Sequence, residues 1–379
     1  MSGISTAAGT AGDALTKHRR SLPALTGIRF FAAFYVVLFH SLPWALKHYA
    51  LPQPVQTFFG NGYLAVALFF VLSGFILAYT YEGQLTGNAQ RLHFWQARFA
   101  RIYPVYFLSL VLAYYFQRSL PVASKVAVLA MVQAWNPLKP SLAGAWNYPA
   151  WSLSVEAFFY LVFPFVLPWL SRRSSRVLAL LLAVFLTACV FLRTPVQGLG
   201  DWDHSRSSSF MPLPVVRLPE FLAGMILGLW LLRQPQPSSA RGGHPIRVAL
   251  AVVAALALLS APIGSWVSLT ILPFAVLVYE LAARRSWLAR ILSTRTIVLL
   301  GSASYCVYLL QYPVRSWVRV TFSLAPSPYQ APGAPLTPLI LIGFSVLVYL
   351  CWEEPSRQAL RRWFSRLRVN TPASKTAQL

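Results

Sequence analysis

Acidic residues are scarce in this chain. Nine Asp and Glu stand against 32 Lys and Arg, and charged residues of both signs fill 11% of 379 positions. Soluble domains carry about 25% charged residues, so an ordinary water-soluble core is excluded. Cysteine is rarer still. Cys189, Cys306 and Cys351 each lie in an apolar run, without metal-ligand spacing or the density of a disulfide framework, and no metal site is expected. No G-x-S-x-G sequence is present to support a serine nucleophile. Nor is there a clear internal repeat of the kind many transporters have, which weighs against a purely transporting role. A net charge of +23 raises the question of nucleic acid. The basic residues, however, fall in short clusters between apolar runs, the pattern of membrane orientation, so no nucleic-acid partner is expected.

What the chain does have is apolar length: 57% of its residues are hydrophobic. Ten runs read as spanning helices, at 24–42, 60–80, 100–117, 150–170, 177–193, 218–232, 247–262, 267–283, 296–314 and 336–352. Pro104, Pro164 and Pro273 should kink their helices, which neighbouring helices can tolerate. The run 122–136 is apolar too, but falls short of the roughly 20 residues needed to cross. Charge decides its fate. With ten spans both termini share a side. Placing them in the cytoplasm puts 22 Lys and Arg on inner segments and 9 on outer ones, with Arg29 left inside the first span. That is the bias of cytoplasmic loops. An eleventh crossing would put either Lys17-His-Arg-Arg20 or the larger C-terminal cluster outside, so 122–136 is expected to be a re-entrant or interfacial helix on the outer side.

The expected fold is therefore an all-α polytopic membrane bundle of about ten transmembrane helices over residues 22–356. A disordered cytoplasmic N-terminus, 1–21, should precede it, and a basic cytoplasmic tail, 357–379, should come after it. Leu360, Trp363, Phe364 and Leu367 make that tail amphipathic and suit it to the inner surface of the bilayer. The first apolar run has no convincing small-residue cleavage site after it and reads as a retained span. The implied location is the cell inner membrane.

Ionisable residues inside the spans are the candidates for chemistry, because a charge there costs several kcal/mol unless paired or hydrated. Arg29 and His40 are eleven residues apart, near one helix face and about 16 Å apart along the axis. Histidine is the commonest general base near neutral pH, and a poorly nucleophilic hydroxyl needs one. Arg29 could also snorkel to the inner headgroups while His40 marks the outer helix end. Arg98 and Arg101, at i and i+3, suit the phosphates of a donor, because arginine binds phosphate bidentately; the same pair could be a plain positive-inside anchor. Glu156 is expected one or two turns below the outer surface, at a depth similar to His40. There it could orient the imidazole, bind an acceptor hydroxyl, or pair with Arg217. Ser152 and Ser154 can bond within their own helix. Ser73-Gly74 fits close helix packing. Pro219 and Glu220 fit a helix start, where a carboxylate favours the positive end of the dipole; Arg217 and Glu220 are also candidates for acceptor contact. Asp201, Asp203 and His204 could meet a polar substrate from an outer loop. Glu353-Glu354-Pro355 reads as the structural end of the last span.

Several of these segments resemble the membrane-bound acyltransferase-3 family. Arg29 leading to His40 resembles its opening Arg–ten residues–His motif, and Phe69-Phe-Val-Leu-Ser-Gly-Phe75 its second-span signature. Arg98 and Arg101 resemble its RxxR motif, Trp151-Ser-Leu-Ser-Val-Glu156 its WSLSVE signature, Gly301 to Leu310 a late glycine–serine–tyrosine motif, and Trp352-Glu-Glu-Pro355 its closing one. The order and spacing make the resemblance specific, over about residues 22–365. It implies an O-acyltransferase that takes an acyl group, usually acetyl, from cytoplasmic acyl-CoA. The acceptor would be a hydroxyl of a carbohydrate such as an exopolysaccharide, an O-antigen or a lipid-linked sugar, with polysaccharide biosynthesis proteins as partners. His40 would be the catalytic histidine, supported by Arg29 and Glu156. Arg98 and Arg101 would serve the donor acetyl-CoA, and Ser73, Trp151, Arg217, Glu220 and Tyr305 would contact substrate. Ala67 and Gln311 depart from the family pattern, where many members have a polar residue and a histidine. The same chemistry on a small acceptor such as a macrolide, or a non-enzymatic transporter, are the alternatives.

Overall fold

The computed structural model describes residues 19–42, 51–116, 119–192, 213–234, 245–283, 286–323 and 336–369. The expectations for the first 18 residues, for Asp201, Asp203 and His204, and for the last ten residues lie outside them. No strand occurs among the described residues. The helices are α1 (Pro23–Ser41), α2 (Gln53–Gly60), α3 (Ala65–Tyr81), α4 (Asn88–Ala113), α5 (Val122–Leu129), α6 (Trp151–Ser171) and α7 (Ser175–Phe191). Then come α8 (Pro214–Arg233), α9 (Pro245–Ser260), α10 (Ile271–Ala283), α11 (Trp287–Leu292), α12 (Arg295–Ser323), α13 (Thr337–Val348) and α14 (Glu354–Val369). A π turn, Tyr349–Glu353, joins the last two into one continuous rod.

Among the described residues, eight stretches are long and apolar enough to cross a membrane by length and composition, and the shorter apolar helices α7 and α9 complete the ten expected. The fold is a polytopic helical membrane bundle. Segment 122–136 begins with α5, which has eight residues and is about 12 Å long, too short to span. The expected spans fix the number of long helices but not their lengths. α4 begins twelve residues before the expected residue 100, and α12 runs nine beyond residue 314. The extra turns carry Arg91, His93 and Arg98 in one helix and Arg315 and Arg319 in the other, and they continue each helix past its apolar run.

Glycine lets neighbouring rods touch. A β-carbon on Gly74 of α3 would lie 2.0 Å from the Phe221 carbonyl oxygen of α8, and one on Gly224 would lie 2.1 Å from that of Val71. Only a residue without a side chain allows that approach. Gly301 of α12 meets the Thr26 carbonyl of α1 in the same way.

The prolines within helices leave carbonyls without an i+4 donor, and other helices supply one. Pro164 deprives the Tyr160 carbonyl, which accepts from Trp95 Nε1 of α4 at 2.9 Å. Pro313 deprives the Leu309 carbonyl, which accepts from Asn147 Nδ2 at 3.1 Å. Asn147 belongs to a largely buried, irregular stretch between α5 and α6. Gln133 donates to Ala150 (3.2 Å) and Trp135 to Ser154 (2.8 Å), while Trp146 donates to Leu110 of α4 (2.8 Å). Met131 and Trp146 adopt positive φ, 58° and 67°. Non-glycine residues hold that region only when surrounding structure dictates it. Because this stretch covers it, Trp151 at the start of α6 is buried, and α6 begins below the surface.

The tail is helical as α14. Its apolar face is divided: Leu360 and Phe364 are partly buried, while Trp363 and Leu367 are exposed.

Candidate active site

One cavity in the bundle collects six of the ten expected site residues. Arg29 (α1), Ser73 (α3), Arg98 and Arg101 (α4), Glu156 (α6) and Tyr305 (α12) all line it. Along α3 the lining runs from Val66 to Leu77, about 16 Å of depth at 1.5 Å per residue. Phe69, Phe70, Leu72 and Leu153 make much of the wall apolar. The space is about 140 Å³ and partly open.

Glu156 organises the centre. Ser73 Oγ donates to its Oε1 at 2.8 Å, and Tyr160 Oη donates to the same oxygen at 2.5 Å. Arg29 and Arg98 both lie in the field of this carboxylate. The two hydroxyl donors hold it in one orientation, and the two guanidiniums add their field without a direct contact. Ser73 therefore faces the cavity while the adjacent Gly74 makes the helix contact, and the two readings of that pair apply to neighbouring residues. Arg101 carries its guanidinium 5.6 Å over the Tyr305 ring, and the Tyr305 hydroxyl donates to the Ile102 carbonyl at 2.8 Å.

His40 stands elsewhere. It is next to last on α1, and its ring packs edge-on to Tyr148 at 5.8 Å and against Phe39 at 4.7 Å. Its carbonyl accepts from Arg315 Nη1 at 2.6 Å. Between this end and the cavity lie Tyr308 and Ser152, which belong to the lining. Tyr308 Oη donates to the Pro149 carbonyl at 3.1 Å, and Ser152 Oγ donates to Tyr308 Oη at 2.8 Å. The expectation that Glu156 shares the depth of His40 is thus corrected. Glu156 sits level with Arg29, because α6 starts beneath the buried stretch before it. Arg29 does not support His40 directly across about 16 Å.

Three further expectations change. Glu156 is not the partner of Arg217. Arg217 Nη1 reaches Glu220 Oε1 at 3.0 Å, both side chains are buried, and the guanidinium lies 5.6 Å over the Trp151 ring. These three residues are packed beside the cavity and do not line it. α8 starts at Pro214, so Pro219 and Glu220 are inside the helix and the dipole account of Glu220 fails. Ser154 does not bond within its own helix but accepts from the Ala134 amide at 3.1 Å. Gln311, at the departure from the family pattern, donates to the Tyr308 carbonyl at 2.7 Å.

Tyr160, Ser304 and Tyr308 also line the cavity, and none of them is among the expected site residues. Tyr160 carries the one usable signal, since it lies four residues after Glu156 on one helix face. Tyr308 lies within the late glycine–serine–tyrosine motif and has no other mark.

A sequence model of the family, described as an acyltransferase domain, matches residues 22–353. Three relatives give the match its range. Acyltransferase MdmB of Streptomyces mycarofaciens is 30% identical over 318 residues, covering 77% of this chain and 79% of MdmB. YrhL of Bacillus subtilis, named as a candidate peptidoglycan O-acetyltransferase, is 25% identical over 93% of this chain and 57% of YrhL. The O-acetyltransferase OatA of Staphylococcus aureus is 26% identical over 79% of this chain and 51% of OatA. The chain thus spans little more than half the length of the latter two. No solved structure matches it.

Proposed function

The chain belongs to the acyltransferase-3 family of O-acyltransferases, and on that premise we propose that it moves a short acyl group, acetyl foremost, from cytoplasmic acyl-CoA to a hydroxyl of a carbohydrate destined for the cell surface. The acceptor class is an exopolysaccharide, an O-antigen or a lipid-linked sugar. The membrane is the inner one, with both termini cytoplasmic, and enzymes of polysaccharide assembly are the partners this implies.

One observation carries the reading: three guanidiniums and a fixed carboxylate share a narrow cavity whose far end approaches the only histidine of the first span. Arginines bind phosphate and thioester oxygens without losing charge. The cavity, about 140 Å³, would take the acyl end of the donor. The nucleotide would remain at the mouth of the cavity. His40 would act at the acceptor end as general base, and Glu156 would hold the guanidiniums in register at the donor end. In this division of labour the pantetheine arm carries the thioester past Tyr308 and Ser152 to the acceptor hydroxyl, whose oxygen forms the ester as the C–S bond breaks, while His40 takes the hydroxyl proton and CoA leaves as its thiol.

The test is transfer of labelled acetyl from acetyl-CoA by purified protein in lipid nanodiscs. Acceptors should include a lipid-linked oligosaccharide, a polysaccharide, a peptidoglycan fragment and a macrolide. Alkali-labile label on a carbohydrate is the expected result. Arg98→Ala and Arg101→Ala should each weaken acyl-CoA binding about 10- to 150-fold, the scale of one charge-assisted hydrogen bond. Label on the macrolide alone would move the acceptor to the small-molecule class. Unchanged CoA binding in the double variant would leave the arginines as topology anchors.

A further inference from the structure

Arg101 is gripped from two sides. The Tyr305 ring lies under its guanidinium, and behind it Nη1 forms an ion pair with Glu353. Glu353 is 1% exposed and does not line the cavity. Its Oε2 accepts from Cys306 Sγ at 3.0 Å, and the preceding Trp352 donates Nε1 to the Pro104 carbonyl of α4 at 3.0 Å.

The backbone around Glu353 is the π turn between α13 and α14. Such a turn adds one residue to the helical repeat, rotating the next helix by about 100°, and is frequent at functional sites. Leu350 and Trp352 on the same turn are 50% and 44% exposed. The turn sends its one carboxylate inward, between α4 and α12, while those neighbours face outward.

We propose that Glu353 is a positioning residue for donor binding, acting through Arg101. The proposal rests on the reading that acyl-CoA binds at Arg98 and Arg101. Arg29 and Arg98, together with Arg357 of α14, repel the Arg101 guanidinium. Glu156 offsets the first two from inside the cavity, and Glu353 offsets Arg101 from behind. A guanidinium has five donors in a fixed fork, so one edge can hold Glu353 while the other meets a donor oxygen. Without the carboxylate, Arg101 is a half-buried charge left with the Tyr305 ring and the field of the partly exposed Glu354. It then turns toward Glu156 or the headgroups and leaves its station.

Equilibrium binding of coenzyme A to purified protein tests this, in a cycle of wild type, Glu353→Gln, Arg101→Gln and the double variant. Glu353→Gln should weaken CoA binding about ten-fold, and on the Arg101→Gln background it should change nothing beyond about two-fold. Glu353→Asp, which keeps the charge one methylene short, should lose about two- to three-fold. Wild-type affinity in Glu353→Gln would overturn the proposal, as would tighter binding, which would make Glu353 a competitor of the donor. An equal loss on the Arg101→Gln background would make Glu353 a general stabiliser and overturn it too. If Glu353→Gln fails to fold, the double variant, which lacks both charges, is compared with Arg101→Gln for the same outcome. A wild type that binds no CoA removes the donor reading along with this one, whereas binding that ignores Glu353 removes this one alone.

Discussion

Arg29 and His40 share a helix but not a chamber. Arg29 lines the cavity with Glu156, while the His40 ring packs on Tyr148 about 16 Å farther along α1. The two residues that open the family pattern therefore face different parts of the bundle, and one helix holds them at a fixed separation.

That separation makes the effects of His40 and the arginines independent. His40→Ala should lower acyl transfer by about 10²–10⁴-fold or more, the usual contribution of a positioned general base. CoA binding, measured on the same preparation, should stay within about two-fold of wild type, since His40 is outside the cavity lining. Full O-acylation in cells carrying His40→Ala, with no related enzyme present, would refute its catalytic role.

Ser73 and Tyr160 should behave as one unit. Each donates to the same oxygen of Glu156. Hydrogen bonds to charged groups contribute about 1.5–3 kcal/mol, so Ser73→Ala and Tyr160→Phe should each lower kcat/KM by about 10-fold or more. The double variant should lose less than the product of the two, because removing either donor already frees the carboxylate from its fixed orientation. Strict additivity in steady-state kinetics would mean that they act on different groups.

Two glycines should respond with opposite sign. Gly74→Ala drives a methyl to 2.0 Å from the Phe221 carbonyl and should destabilise the protein by about 1–3 kcal/mol or more. Gly343→Ala, on α13, meets nothing within 4 Å and should be neutral or stabilising by about 0.5–1 kcal/mol. Unfolding midpoints in detergent compare them, and equal midpoints would contradict the close α3–α8 contact.

Topology has its own check. Reporter fusions at residues 87, 140, 205, 239 and 325 should report inside, outside, outside, inside and outside. A cytoplasmic report at 140 would make segment 122–136 a crossing and reverse one half of the chain.

The number of long helices is legible in the sequence because lipid demands apolar length, and ten runs supply it. Their ends are not. α4 continues through Arg91, His93 and Arg98, and α12 through Arg315 and Arg319, because backbone hydrogen bonding does not stop where the apolar run stops. Arg29, Arg98, Arg101 and Glu156 are legible as charges that a span must account for. Their common depth is not, since it depends on the irregular stretch that buries the start of α6. Tyr160 and Tyr308 are hidden by their type: tyrosine in a membrane bundle is ordinarily an interfacial aromatic. Glu353 reads as an ending because it ends the last apolar run, and only the π turn shows where its carboxylate points.

The carboxylate that steadies Arg29 is 127 residues away in the chain. At about 5–20 residues per second, synthesis delivers Glu156 roughly 6–25 s after Arg29. During that interval the first span carries an unmatched guanidinium, so it cannot settle early at its final depth. Until α6 emerges, snorkelling to the inner headgroups can hold the guanidinium. Seating Arg29 at the depth of Glu156 is then a step that follows the insertion of α6.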